Sequence, residues 1–376
     1  MNAMTRSRTG MALPMVLGAI VLIGTLVAGV MYLATQDYRV GANTLNETQA
    51  AATAEMGLNH LTTDWDLSRN TSMVTGDTVR KLYTDPNGTV ANVLLTRMNG
   101  DLFWAVSEAQ TRGNSVQYGA RRRLGGLLRL NTPNVNFLGA VTAAGNIRVS
   151  GNVNVNGMDS IPTGWTGCGP ATNMPGSVIT PTATTTVNGS VTINGNPPYT
   201  TNAAAGDTNT YFNYGSTTYT ALAAAADITL PGGNYSGMAP IAVGTICTKS
   251  STMNWGDPVR HSPAAACEPY FPVIHVTGDL KVTGGSGQGI LLVDGDFTKA
   301  GNFNFTGVVI ARGTIKSTGS NNGVTGVEMA ASIDEGDAVT LAGSTKIQYS
   351  SCAVAKALSA SSYPVVVKGR AWVNLY

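Results

Sequence analysis

Charge is what this chain has least of. Charged residues make up 12% of its 376 positions, about half of the roughly 25% usual in soluble domains. The net charge of +2 supplies no basic field for bulk nucleic-acid binding and no acidic tail. Three histidines, His60, His261 and His275, argue against a multi-histidine metal enzyme. Four cysteines, Cys168, Cys247, Cys267 and Cys352, argue against a disulfide-dense mini-scaffold. Simple disorder is excluded by a hydrophobic fraction of 43%. Glycine runs the other way: 45 residues, well above the average of about 7%.

The N-terminus carries the strongest pattern. Residues 1–10, MNAMTRSRTG, are short and polar, with Arg6 and Arg8 and no acid. An apolar run of 24 residues follows, from Met11 to Ala34, with Thr25 as its one strongly polar member. As a helix it spans the roughly 30 Å of a bilayer core. Asp37 precedes Arg39 on its far side, so the positive-inside rule puts residues 1–10 in the cytoplasm and the bulk of the chain outside. The run exceeds the apolar core of about 7–15 residues of a secretory signal, and no small-residue cleavage site of the A-x-A kind follows it. The plainest reading is a membrane anchor with a helical stalk.

The basic leader ending in Gly10, directly before an apolar helix that continues without a break, resembles the type IV pilin family, including pseudopilins and minor pilins. The likeness covers residues 6 to about 65. It implies cleavage between Gly10 and Met11 by a prepilin peptidase and methylation of Met11. It further implies an assembly helix carrying Pro14, Met15, Leu17, Ile20, Leu22 and Leu26. The partners it implies are other pilin-like subunits and the inner membrane, with later display in the periplasm or at the cell surface. Two positions depart from the family pattern. Met11 stands where Phe is common, and Met15 stands where major subunits carry Glu. The second departure is more typical of minor or tip-initiating subunits. Pro14 suits a first helical turn, where a missing N–H costs little.

Beyond the membrane run, Tyr38, Ala42, Leu45, Gln49, Ala52 and Met56 step by three and four, which predicts a continuing amphipathic helix with that stripe as its mostly small or apolar side. From Met11 to Leu61 such a helix is about 76 Å long. From about Thr71 the period changes. Asn99-Gly100 between two apolar runs predicts a hairpin of the type I′ kind, and the segment through Arg121, Arg122 and Arg123 predicts a third strand. The basic triplet reads as a solvated strand end.

A repeat dominates the chain beyond this strand. Gly139, Gly145, Gly151 and Gly157 are six apart, as are Gly289, Gly295, Gly301, Gly307, Gly313 and Gly319. Gly278 and Gly284, and Gly189 and Gly195, keep the same interval, and two positions after most of these glycines stands an apolar residue, including Val141, Ile147, Val153, Val191, Leu280, Leu291, Phe297, Phe303, Val309 and Ile315. Short strands pointing these side chains inward, with glycine corners between, would give coils of 18 residues that bury their interiors against neighbours. The expected fold class is therefore α+β and mainly β: a long N-terminal hydrophobic helix followed by a β-rich head. The head reads as a β-solenoid with a hexapeptide-like glycine period, the alternative being a β-sandwich. The expected organisation is a leader (1–10), the helix (11–65), a small β region (66–135), the head (136–350) with a loop-forming insert at about 158–271, and a C-terminal helix and strand (351–376).

Catalytic and metal signatures are scarce. Gly284 to Gly289 lacks the lysine and following helix of a phosphate loop. No G-x-S-x-G elbow occurs. Asp294, Asp296, Asp334, Glu335 and Asp337 lack the regular spacing of calcium ligands and read as turn carboxylates. His261 and His275 read as loop or core residues. The outward topology permits disulfides. Cys247 with Cys267 would leave Cys168 with Cys352, but four cysteines allow three pairings. The expectation is no enzyme, no metal, no cofactor and no nucleic-acid partner. The expected role is a structural subunit, a minor pilin or pseudopilin. The alternative is an anchored extracellular β-solenoid that binds or cleaves polysaccharide.

Overall fold

The computed structural model describes residues 12–66, 70, 73–111, 119–169, 171–259, 264–332, 337–367 and 372–375. In chain order the helices given by the described residues are α1 (Ala12–Thr63), α2 (Thr208–Phe212), α3 (Tyr219–Ala224) and α4 (Ser351–Ala360), with two short 3-10 turns besides. Its strands are β1 (Thr78–Thr84), β2 (Val90–Arg97), β3 (Leu102–Gln110), β4 (Arg121–Asn131), β5 (Val141–Ala143), β6 (Asn146–Asn156), β7 (Ser177–Ile179), β8 (Thr185–Asn194), β9 (Tyr199–Thr201), β10 (Ile228–Met238), β11 (Ala242–Val243), β12 (Ile246–Cys247), β13 (Val273–Val293), β14 (Phe297–Ala311), β15 (Ile315–Thr318), β16 (Asn322–Ala330), β17 (Asp337–Leu341), β18 (Ser344–Gln348), β19 (Tyr363–Val366) and β20 (Trp372–Leu375). The chain is thus a long helix followed by a strand-rich remainder, α+β and mainly β.

Two compact units divide it. The first comprises residues 1–66, 70–129 and 364–376, the second 67–69 and 130–363. In the first unit β1, β2, β3 and β4 form an antiparallel meander. Alternation is strict: Ala91, Val93 and Leu95 of β2 and Phe103, Ala105, Ser107 and Ala109 of β3 are buried, their neighbours less so. That period of two gives the sheet one apolar face for α1 to cover. The C-terminal segment contributes two strands rather than one, β19 and β20, both paired with β4.

The turn between β2 and β3 differs from the type I′ expectation. It runs over Met98–Asp101, and neither Asn99 nor Gly100 takes the positive φ that type I′ requires. Instead the Asn99 carboxamide oxygen accepts from the N–H groups of Asp101 and Leu102, at 3.0 and 2.9 Å. This side-chain-made turn stabilises a longer loop.

In the second unit every pairing within the 12-stranded sheet is parallel. A hairpin-built sandwich would pair antiparallel. The pairings run round in a ring, β14–β15–β17–β6–β18–β16 and back to β14. Residues two after the repeat glycines point inward: Val141, Ile147, Val153, Leu280, Leu291, Phe297, Phe303, Val309 and Ile315 are all at most 1% exposed. Gly289, Gly307 and Gly326 pair in succession at one corner with φ of +111°, +135° and +140°. A Cβ on Gly326 would overlap the carbonyl oxygen of Gly307, and one on Gly307 that of Gly289. Only glycine satisfies both conditions.

The insert expected at 158–271 is not a run of loops. β8 pairs with β6 without interruption from Ile147↔Thr185 to Asn156↔Asn194, and Gly189 turns over Gly151. β7 and β9 extend the ladder begun by β5. Beyond them Tyr211, Tyr214, Tyr219 and Leu222 are buried in the main core. The Pro, Thr and Ala richness of the segment hides these strands, although β8 keeps the alternation of Val187, Val191 and Ile193 with Asn188, Ser190, Thr192 and Asn194.

Candidate assembly helix and polar sites of the head

The first half of α1 presents an apolar surface with no other described residue packed upon it. Leu13, Met15, Leu17, Ile20, Leu22 and Leu26 are 75, 74, 57, 60, 65 and 66% exposed. Pro14 lies in the first turn, where its missing N–H has no helical partner to lose. The hydroxyls are bonded back to the backbone: Thr25 to the Leu22 carbonyl at 2.9 Å, and Thr35 to the carbonyls of Met31 and Tyr32 at 2.8 Å. The helix runs unbroken from Ala12 to Thr63, and an α-helix satisfies its interior backbone groups internally, the condition for a segment in hydrocarbon. Among the described residues this helix is long and apolar enough to cross a membrane, and its most apolar stretch is wholly unburied. Gly10 and Met11, the expected processing residues, lie outside the described residues.

The second half of α1 packs on the first unit's sheet, but not through the stripe expected from hydrophobicity. Tyr38 and Leu45 are 66 and 67% exposed, and Ala52 is exposed. The buried face is Ala50, Thr53, Ala54, Gly57, Leu58 and Leu61. Small residues bring the helix backbone close to β2 and β3, and a stripe drawn by apolarity passes over Gly57 and Thr53. Thr53 donates to Asp85 Oδ2 at 2.7 Å, while the N–H groups of Asn87 and Thr89 bond Oδ1. The Thr53 hydroxyl above all, with these amides, holds the Asp85 carboxyl below the ordinary carboxylate range.

The basic triplet is paired within this unit. Arg121 and Arg123 share Glu108 of β3 at 2.7 and 3.2 Å, and Arg122 meets Glu47 of α1. The solvated strand end is therefore a set of partly exposed ion pairs.

In the second unit the cysteines form Cys247–Cys267 and Cys168–Cys352, with Cα separations of 4.9 and 5.5 Å. His275 Nε2 lies 2.9 Å from Asp294 Oδ2, and the Tyr219 hydroxyl donates to Asp294 Oδ1 at 3.0 Å. Arg312 stands 3.9 Å from Asp294, with its guanidinium over the rings of Phe212 and Tyr219. Burial, reinforced by Asp294, pushes the Tyr219 phenol well up. Tyr219, His275, Asp294 and Arg312 line a cavity of about 380 Å³. Asp296 accepts from the Thr314 N–H at 2.8 Å and faces Lys316 at 3.5 Å. Burial works against its charge, yet the Thr314 bonds and Lys316 outweigh it and hold the carboxyl low. Among the described residues no three His, Cys, Asp or Glu side chains converge as metal ligands. His261, Asp334 and Glu335 lie outside the described residues.

A second cleft of about 450 Å³ is lined by Asn152, Asn154, Asn302, Asn304, Asn321 and Lys346, among others. Register explains it: Asn154 is paired with Lys346, Gly323 with Lys346 and Asn304 with Gly323. Outward-facing amides therefore stack beside Gly323, where the Asn304 Oδ1 lies 2.7 Å from the position a Cβ would take. The glycine period locates turns between the strands but not the amide row.

No family model matches the chain, and no curated protein matches it. Among solved structures it is similar to the competence-associated pilin ComZ from Thermus thermophilus at 12% identity, covering 88% of this chain and 97% of that one, with a TM-score of 0.25. A TM-score that low is below what a shared fold gives, so the likeness does not assign the chain to a family.

Proposed function

We propose that the chain is a structural subunit of a type IV pilus-like assembly, a minor pilin or pseudopilin, that works by assembly and display rather than catalysis. One observation carries this reading. The half of α1 from Leu13 to Leu33 exposes its large apolar side chains throughout, while its continuation is anchored on a sheet. Such a surface needs lipid or other copies of the same kind of helix around it. The proposed sequence of events is residence in the inner membrane, cleavage after Gly10 by a prepilin peptidase, methylation of Met11, and transfer of the helix from lipid to a fibre. The strand-rich unit is read as a β-solenoid: Phe297 pairs with Ile315 and Gly289 with Gly307, eighteen positions on in each case. Two disulfides fit display outside the cytoplasm.

Mass spectrometry of the N-terminus from membrane and sheared-surface fractions tests the reading. A chain beginning at Met11 supports it. A chain retaining residues 1–10 in cells with active prepilin peptidase overturns it.

The amide-lined cleft favours a second reading, a head that holds a neutral polysaccharide. Binding of neutral oligosaccharides to the detergent-solubilised chain, lost in Asn154→Ala/Asn304→Ala, would support it. Absence of binding leaves display as the role.

A further inference from the structure

Lys299 and Glu328 oppose each other inside the second unit, and both side chains have 0% exposure. Lys299 Nζ donates to Glu328 Oε1. Lys299 belongs to β14, paired with Val282 on one side and Ser317 on the other. It shares its strand face with Phe297, over whose ring Nζ lies at 6.0 Å from the centroid. Glu328 belongs to β16, flanked by Val309 and Val141.

The pair is poorly served as a pair of ions. An ammonium carries three donors and a carboxylate about four acceptor sites. Among the described residues Glu328 Oε2 has no hydrogen-bond partner, and the Lys299 side chain hydrogen-bonds to Glu328 alone. Two charges withdrawn from water repay their desolvation only when the remaining donors and acceptors are also met. Here their neighbours are the Phe297 ring, Val282, Val309 and Val141, together with Ser317, whose hydroxyl is paired with that of Thr345.

We propose that Lys299 and Glu328 condense to a side-chain amide. A proton passes from the Lys299 ammonium to a Glu328 carboxylate oxygen, leaving a neutral amine against a neutral acid. The Nζ lone pair attacks Cδ. A second proton moves from nitrogen to the hydroxyl, the C–O bond breaks and water leaves. One Nζ–Cδ bond is formed, one C–O bond is lost, and nothing is oxidised or reduced. Ammonium plus carboxylate become amide plus water, so no co-reactant is required. Fixed proximity substitutes for a high concentration of amine, worth effective molarities on the order of 10⁵ M or more in well-oriented cases. Escape of the water from an apolar interior pulls the condensation forward. The product is neutral, with a single N–H and a single carbonyl in place of the unmet ionic groups.

The resulting bond straps β14 to β16 across residues 29 apart. It would hold two adjacent turns of the parallel stack together independently of the disulfides. This inference does not depend on the assembly role proposed above.

The test is peptide mapping of the full-length chain purified in detergent, reduced, denatured and digested with trypsin. The expected result is a branched peptide joining the segment around Lys299 to that around Glu328, one water lighter than the sum of its parts, with no cleavage after Lys299. In Lys299→Met the branched species is expected to vanish. Should that variant not fold, the wild-type digest decides alone. Linear peptides of full mass containing Lys299 and Glu328 would overturn the proposal, as would a loss of water that persists in Lys299→Met.

Discussion

Gly57 of α1 lies against Ser107 of β3 with no room for a methyl group between them. A Cβ at position 57 would stand 2.6 Å from the Ser107 hydroxyl oxygen and 2.7 Å from the Ala91 Cβ. Gly57→Ala is therefore expected to destabilise the first unit by about 1–3 kcal/mol, the range for overpacking a tight interface. Gly41 sits on the same helix with nothing within 4 Å of its Cβ site, and Gly41→Ala should gain about 0.5–1 kcal/mol from helix propensity. Thermal unfolding followed by circular dichroism separates the two. A Gly57→Ala chain as stable as the wild type would show that the helix does not approach the sheet this closely.

That contact also shows what the sequence conceals. The membrane run and the six-residue glycine period are legible because each is a one-dimensional signal. Apolar length fixes a span, and a repeated corner fixes where inward side chains fall, as at Phe297 and Ile315. The docking face of α1 is not legible, since Gly57, Thr53 and Ala54 are chosen for size and not apolarity. In 177–201 the alternation is present, Val187, Val191 and Ile193 against Asn188, Ser190, Thr192 and Asn194, but it is short and set in a segment rich in Pro, Thr and Ala that reads as loop. Lys299 is within reach: it stands two after Phe297, on the same strand face, and that parity places a charge indoors.

The exposed half of α1 should be dispensable for folding and necessary for membrane retention. A chain beginning at Gln36 removes Leu13 to Leu33, whose large apolar side chains are exposed. It is expected to be soluble without detergent and to keep the near-ultraviolet dichroism and unfolding midpoint of the full chain. The full chain should partition into membranes. Aggregation of the shortened chain, or a midpoint lowered by several degrees, would mean that the segment packs on the folded body.

The glycine corners differ in how strongly they demand glycine. Gly307 combines φ of +135° with a Cβ site against the Gly289 carbonyl oxygen, whereas Gly237 has φ of +71° and nothing within 4 Å. Gly237→Ala should cost about 1–2 kcal/mol, the penalty of a left-handed residue. Gly307→Ala adds a backbone collision and should cost about 3 kcal/mol or more. Equal urea midpoints for the two variants would refute the stacked-corner account.

Reduction should weaken the second unit unevenly. Cys247–Cys267 closes a separation of 20 residues and Cys168–Cys352 one of 184. The chain-entropy relation gives about 3 kcal/mol for the shorter loop and about 5 kcal/mol for the longer. Replacing Cys168 and Cys352 together by Ala should thus lower the unfolding midpoint more than replacing Cys247 and Cys267. The reverse order would indicate that the long loop is already restrained in the unfolded chain, as the Lys299–Glu328 amide would do for the residues between them.

Asp227 supplies a pH signature opposite to that of an ordinary paired carboxylate. Burial pushes its carboxyl up, against the Val273 N–H that bonds Oδ2 at 2.8 Å and the charge of Lys249. With the folded value raised above the unfolded one, the protonated form is the one that folding favours. Its contribution is complete below the unfolded pKa of about 3.9 and is lost as pH rises through the folded value. Asp227→Asn keeps an oxygen for the Val273 N–H without acquiring charge. The variant should match the wild type near pH 4 and exceed it in unfolding midpoint at pH 7, the gap opening as the wild-type carboxyl ionises. A variant less stable than the wild type at pH 7 would mean that Lys249 and the amide outweigh burial, and that the ionised carboxylate is the stabilising form.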